Sequence, residues 1–179
     1  MVRTLFVFLI LVPYFLVAQQ VLHPVDAPGA VSFVINNFGS GVDGSFKGLK
    51  GEIRFDPTKL SESTMNVTVD PATIETGINM RNRHLRGEKY FFVDKFPTIS
   101  ILGTQVKSTG KPETYTMTAR VTIKGVSKTI PLTFTAKPQK NGFFFEGIFT
   151  LNRRDFNVGS GSLTLSDEVT VRLKVLAQQ

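Results

Sequence analysis

His84 and Glu88 stand four residues apart, a spacing that puts both side chains on one face if the segment is helical. Such a pair begins a metal site, but zinc takes three or four ligands, and the other histidine, His23, lies far off near the N-terminus. Simple packing or capping of the segment by His84 needs no further partner. As the base of a nucleophilic relay, His84 needs a presented serine. No Gly-x-Ser-x-Gly elbow occurs, and Gly159-Ser160-Gly161-Ser162 reads as a loop. No phosphate loop or dinucleotide fingerprint occurs either. The chain has no cysteine, which excludes a disulfide scaffold, a thiolate metal site, a thiol nucleophile and a lipid-modified N-terminal cysteine. A non-enzymatic reading follows. Its rival is a secreted lipid-acting hydrolase that uses His84.

Basic residues gather around the same histidine: Arg81, Arg83, Arg86 and Lys89, beside apolar Leu85, Phe91 and Phe92. The whole chain carries a formal charge of +7. This cluster is either a solvated face paired with Glu75, Glu88 or Asp94, or a surface for anionic head groups. Nucleic acid is excluded as a partner by the reading of the N-terminus. Residues 1–18 have a weakly basic start, an apolar run from Leu5 to Val12, and a small residue at Ala18. That is the form of a secretory signal peptide, and the apolar run is too short to favour a lasting membrane span. The expected location is periplasmic or secreted, with a tail over residues 19–30 and one domain over 31–179.

The elements that would position these residues are strands. Tyr115, Met117, Ala119, Val121 and Ile123 alternate with Thr116, Thr118, Arg120, Thr122 and Lys124. Ile130, Leu132, Phe134 and Ala136 repeat the pattern after a turn region at Gly125-Val126-Ser127. A period of two marks strands with one apolar face. The same rule places Phe143, Phe145, Phe149, Val171 and Leu173 on inner faces. Eight strands are expected near 31–37, 42–55, 63–70, 98–107, 113–124, 127–137, 142–153 and 166–177. Gly44, Gly48 and Gly51 suggest bends or bulges in the second. Only residues 76–95 break the period; they suit a short helical segment that Gly87 can end. The expectation is an all-β chain, either an up-and-down barrel or a two-sheet sandwich. An eight-stranded barrel either fills with side chains or holds one small ligand. The chain has 16 phenylalanines and no tryptophan, and these fill a core or line a cavity.

Four stretches resemble the YceI-like family. They are Gly48-Leu49-Lys50-Gly51-Glu52-Ile53-Arg54-Phe55-Asp56-Pro57, the central Arg81-Asn82-Arg83-His84-Leu85-Arg86 with Tyr90-Phe91-Phe92-Val93 and Lys95-Phe96-Pro97-Thr98-Ile99, the turn Val121–Lys128, and the close Arg154-Asp155-Phe156-Asn157-Val158-Gly159 with Ser166-Asp167-Glu168-Val169. Asn82 stands where the family usually has Asp. The resemblance implies an extended, lipocalin-like, eight-stranded antiparallel barrel that holds a long isoprenoid or similar amphiphile; a carrier or store of a quinone or polyprenyl phosphate is the leading expectation for such a barrel here. The resemblance also implies export to a bacterial periplasm and no other cofactor.

On this reading Met117, Ala119, Val121, Leu132 and Phe134, with Phe143, Phe145, Phe149, Val171 and Leu173, line the lumen as a tunnel, with spare volume beside Ala119. Arg81, Arg83, His84, Leu85, Arg86, Phe91 and Phe92 form a mouth that holds a head group and touches a membrane surface transiently. A filled-core interaction barrel is the remaining alternative. Monomer and homodimer are both open.

Overall fold

A computed structural model describes residues 20–179. The signal-peptide reading of residues 1–18 lies outside the described residues. The strands are Val21–Pro24 (β1), Val31–Asn37 (β2), Ser40–Arg54 (β3), Thr64–Glu75 (β4), Ile99–Ser108 (β5), Thr114–Ile123 (β6), Val126–Gln139 (β7), Gly142–Asn152 (β8) and Leu165–Gln178 (β9). One helix, Asn79–Arg86 (α1), ends at Gly87. Each strand from β2 to β9 pairs antiparallel with the next, and β9 pairs back onto β2. The result is a closed eight-stranded up-and-down barrel and not a two-sheet sandwich.

Residues 21–24, read from the sequence as tail, form the ninth strand. Val21 and Leu22 pair with Arg54 and Ile53 of β3, while His23 and Pro24 pair with Gln178 and Ala177 of β9. β1 therefore continues the line of β2 after an interruption at Val25–Ala30. That interruption is tied to the wall: the Asp26 carboxylate accepts hydrogen bonds from the amides of Gly48 (2.9 Å) and Leu49 (3.1 Å). Here β3 shifts register against β4, and Gly48 takes φ 73°. The glycines of β3 thus do mark the bulge that curls the wall.

The barrel has two unlike ends. The lower end holds the β5–β6 and β7–β8 turns and the β3–β4 connection. The upper end holds α1, the segment 87–98, the β8–β9 loop, the β2–β3 hairpin and the β6–β7 turn. In that last turn Lys124 and Gly125 both have positive φ, and Val126 and Ser127 already belong to β7. This is the two-residue turn whose twist suits a hairpin.

One seam in the wall is incomplete. β7 pairs with β8 only from Gln139↔Gly142 to Phe134↔Gly147. Above that, β7 pairs with β6 alone and β8 with β9 alone. Pro131 has no amide proton, so its pairing with Thr118 is of the non-bonded kind and its bare nitrogen faces the β8 side. The gap is closed by Arg153–Phe156 and the residues after it. Phe156 and Val158 are buried with Val121 and Leu151, against Ile130 and Val126. Arg153, 6% exposed, anchors this insert. Its guanidinium donates to the carbonyls of Ser166, Val158 and Ser160, each at 2.9 Å, and to Asp167 Oδ1 at 2.8 Å. A buried guanidinium with four acceptors around it holds a loop; one left unpaired would be costly.

Candidate functional site

The lumen is divided by height. In the lower half, inward side chains are packed as in any protein interior. Met117, Leu132, Phe134, Ala136 and Phe145 are buried. At the bottom, Phe55 is the hub of an aromatic cluster. Its ring meets Tyr115 and Phe143 at 5.1 Å, Phe145 at 5.5 Å and Phe134 at 6.1 Å, all near edge-to-face. This is the geometry that aromatic quadrupoles favour.

In the upper half many of the inward side chains are only half-buried, although they face the centre of a closed barrel. Val67, Ile99, Ile101, Phe149, Val171 and Leu173 all behave so. What they face is an apolar cavity of about 560 Å³, within the size range of small-molecule sites. Its floor is formed by Leu132, Phe134 and Phe145. A through-going tunnel is thus replaced by a blind pocket, because the Phe55 cluster occupies the lower end. Eight of the ten residues expected to line the lumen reach the cavity; Ala119 and Phe143 do not. Ala119 points inward but is covered by packed neighbours, so no spare volume lies beside it. Phe143 belongs to the aromatic plug.

α1 and the following turn roof part of the upper end. Leu85 and Phe91 reach the cavity from above, and Phe91 stands edge-on to Phe46 at 5.5 Å. Arg81 and His84 also line it, and so do Lys89 and Tyr90. Arg83 points to solvent, and Arg86 turns toward the Ile74 carbonyl. Phe92 packs on Phe96 with Lys95 over both rings, away from the opening. Of the seven expected mouth residues, Arg83, Arg86 and Phe92 therefore do not contact the cavity. Phe46, Tyr90 and Arg153 do contact it and were missed. Phe46 had a signal in the apolar spacing of β3; Arg153 had none that set it apart from Arg154.

His84 meets Tyr90 edge-on at 4.9 Å, and its ring makes no side-chain hydrogen bond among the described residues. Ser162, at the same opening, shares a hydrogen bond with Thr164 at 3.2 Å. No group of three His, Cys, Asp or Glu side chains suited to a metal occurs among the described residues.

Asn82 is the helix anchor. Its Oδ1 accepts from the Thr76 amide (2.9 Å) and hydroxyl (2.7 Å), and its Nδ2 donates to Glu75 Oε1 (2.9 Å). Arg81 donates to the Thr76 hydroxyl as well. The amide of Asn82, with those of Gly77 and Thr76 behind it, holds the Glu75 carboxyl below its usual pKa. A depressed carboxylate contributes stability above its unfolded pKa, and that contribution is lost as pH falls through the folded value. An aspartate at 82 would keep the acceptor, lose the donor and set a second carboxylate against Glu75. Asn82→Asp is therefore expected to lower the melting temperature at neutral pH. The deficit should shrink below the carboxylate range, or on adding Glu75→Gln; a deficit indifferent to both would contradict this account of the contact.

A closed antiparallel meander around a blind apolar pocket, opening at one end beneath a short helix, defines a lipocalin-like barrel. The YceI-like domain matches residues 25–177, and the chain belongs to the YceI-like family. A UPF0312 protein of Pseudomonas syringae pv. tomato is 32% identical over 163 residues, covering 86% of this chain and 84% of that one. Among solved structures, BcnA of Burkholderia cenocepacia aligns with a TM-score of 0.77 at 26% identity, over 83% of this chain and 95% of that one. A polyisoprenoid binding domain from Saccharophagus degradans, implicated in plant cell wall breakdown, aligns with a TM-score of 0.72 at 15% identity, over 89% and 99%. The last likeness is one of fold.

Proposed function

We propose that this protein binds one amphiphilic lipid, with an isoprenoid tail in the upper cavity and the head group at the mouth. The observation that carries the reading is the row of half-buried aliphatic and aromatic side chains inside a closed barrel. Apolar surface kept from packing is surface available to an apolar guest. A barrel of the same fold that is named for polyisoprenoid binding supports the class of guest. Arg81, His84 and Lys89 at the opening suit a polar or anionic head group, such as a quinone ring or a polyprenyl phosphate. The protein acts on this reading as a carrier or store; among the described residues the His84 ring has no hydrogen bond to the serine or acid of a hydrolytic relay. The signal-like segment at residues 1–18 supports a role after export, in the periplasm or outside the cell. Exchange with a bilayer then takes place through the mouth.

Burial of one five-carbon unit is worth roughly 3–4 kcal/mol gross, at about 0.8 kcal/mol per carbon. The membrane offers the tail nearly the same gain, so the net preference is small and the cargo can leave. A blind pocket makes a specific prediction. With delipidated protein and fluorescent prenyl probes of increasing length, affinity should rise until the tail reaches the floor at Phe134 and Phe145, then level off. Affinity that is independent of chain length, or no uptake at any length, would refute the assignment.

A further inference from the structure

We propose that the upper rim is a membrane-docking surface, in which Phe38, Ile78, Met80 and Leu163 enter the acyl region of an anionic bilayer and set the cavity mouth against the lipid. This rests on the lipid-binding reading and adds the surface that would serve it. Six large apolar side chains are exposed among the described residues, and four of them sit on this one end. The other two, Val25 and Ile148, lie elsewhere on the wall. Phe38 is at the tip of the β2–β3 hairpin and Leu163 is in the β8–β9 loop. Ile78 is the N-cap of α1 and Met80 lies in its first turn. Their parent strands, β9, β2, β3 and β4, are consecutive around the barrel.

Phe38 gives an independent sign. It is 78% exposed and holds φ 52°, a conformation unfavourable for a bulky residue, next to Gly39 at φ 76°. Polar or small residues fit such a tip better, so an aromatic ring there has no folding rationale. Its amide donates to the Thr164 carbonyl at 2.9 Å, which fixes the hairpin tip beside the loop that bears Leu163. Phe38 also touches the cavity, so the apolar rim is continuous with the apolar interior. Charge favours the same partner. α1 carries Arg81, Arg83 and Arg86 and no acidic residue, and exposed Lys89 follows. Apolar side chains beside this basic segment, whose one acidic residue is exposed Glu88 between Arg86 and Lys89, suit an interface with anionic head groups above acyl chains.

The chain has no tryptophan, so Phe38→Trp, Leu163→Trp and Ile148→Trp each carry a single reporter. With vesicles of phosphatidylglycerol and phosphatidylethanolamine, the first two should shift to the blue and be quenched by acyl-chain bromines; Ile148→Trp on the side wall should do neither. Met80→Gln/Leu163→Asn, which leaves the cavity lining intact, should weaken vesicle partitioning by about tenfold or more. Uptake of a soluble prenyl probe by the same double variant should be unchanged, and this arm reports the cavity separately from the rim. Unshifted emission at both 38 and 163 would overturn the proposal, as would an equal shift at 148. A dimer in vesicle-free buffer that the double variant converts to monomer would overturn it too, by assigning the rim to a second copy of the chain.

Discussion

Val67→Phe/Val171→Phe protein purified from its native host is expected to carry no prenyl lipid, while melting within a few degrees of delipidated wild type. Both residues are half-buried against the cavity from different sectors of the wall. The added rings occupy space that the fold leaves empty, so they displace the guest without displacing neighbours. Ala119→Phe is the paired control. That position is 0% exposed and lies between Met117 and Val121 on β6, shut off from the cavity by packed neighbours. Overpacking there should cost about 1–3 kcal/mol, and the upper cavity should still load. Melts must be compared on delipidated samples, because a ligand that binds the folded state raises its apparent stability. If the two variants exchanged behaviours, the distinction between cavity-lining and packed positions would be wrong.

Phe55→Ala should be among the most destabilising single changes outside the cavity. The ring is 4% exposed and touches four other aromatic rings. Its removal deletes buried surface and leaves a hole that the surrounding strands cannot close. Losses of about 3–5 kcal/mol are typical of such truncations. For a domain of this size that corresponds to a melting temperature lower by roughly 6–20 °C. Prenyl uptake at low temperature should survive, since Leu132, Phe134 and Phe145 still separate the plug from the pocket. A loss below about 1 kcal/mol in denaturant unfolding would mean that the cluster is not the structural floor.

Much of the barrel was legible in the sequence because its strands alternate cleanly and its turns carry glycine. β6 shows this best: Tyr115 to Ile123 face inward on every second residue, as their spacing required. β1 was not legible. Four residues ending in Pro24 are too few to show a period, and their partners lie at the far end of β3 and at the C-terminus. The candidate site was half legible for a different reason. Alternation says which residues point inward but not how high they sit or what fills the space before them. Met117 and Val121 share a face with Ala119, yet only Ala119 is shut off from the cavity. That depends on contacts across strands. The Met117 sulfur, for example, lies where a side chain on Gly103 would begin. Likewise Arg153 and Arg154 are chemically identical in sequence. The one-residue offset between them decides which is the buried anchor and which is exposed at the surface.

Whether the upper cavity holds one lipid tail is decided by native mass spectrometry on wild-type protein made in its own host, followed by organic extraction and mass analysis of the guest. The expected result is a one-to-one complex whose extracted molecule carries an isoprenoid chain, and its absence from Val67→Phe/Val171→Phe protein. Protein at its bare mass, with no guest in the extract and no uptake of added prenyl lipid, would contradict it.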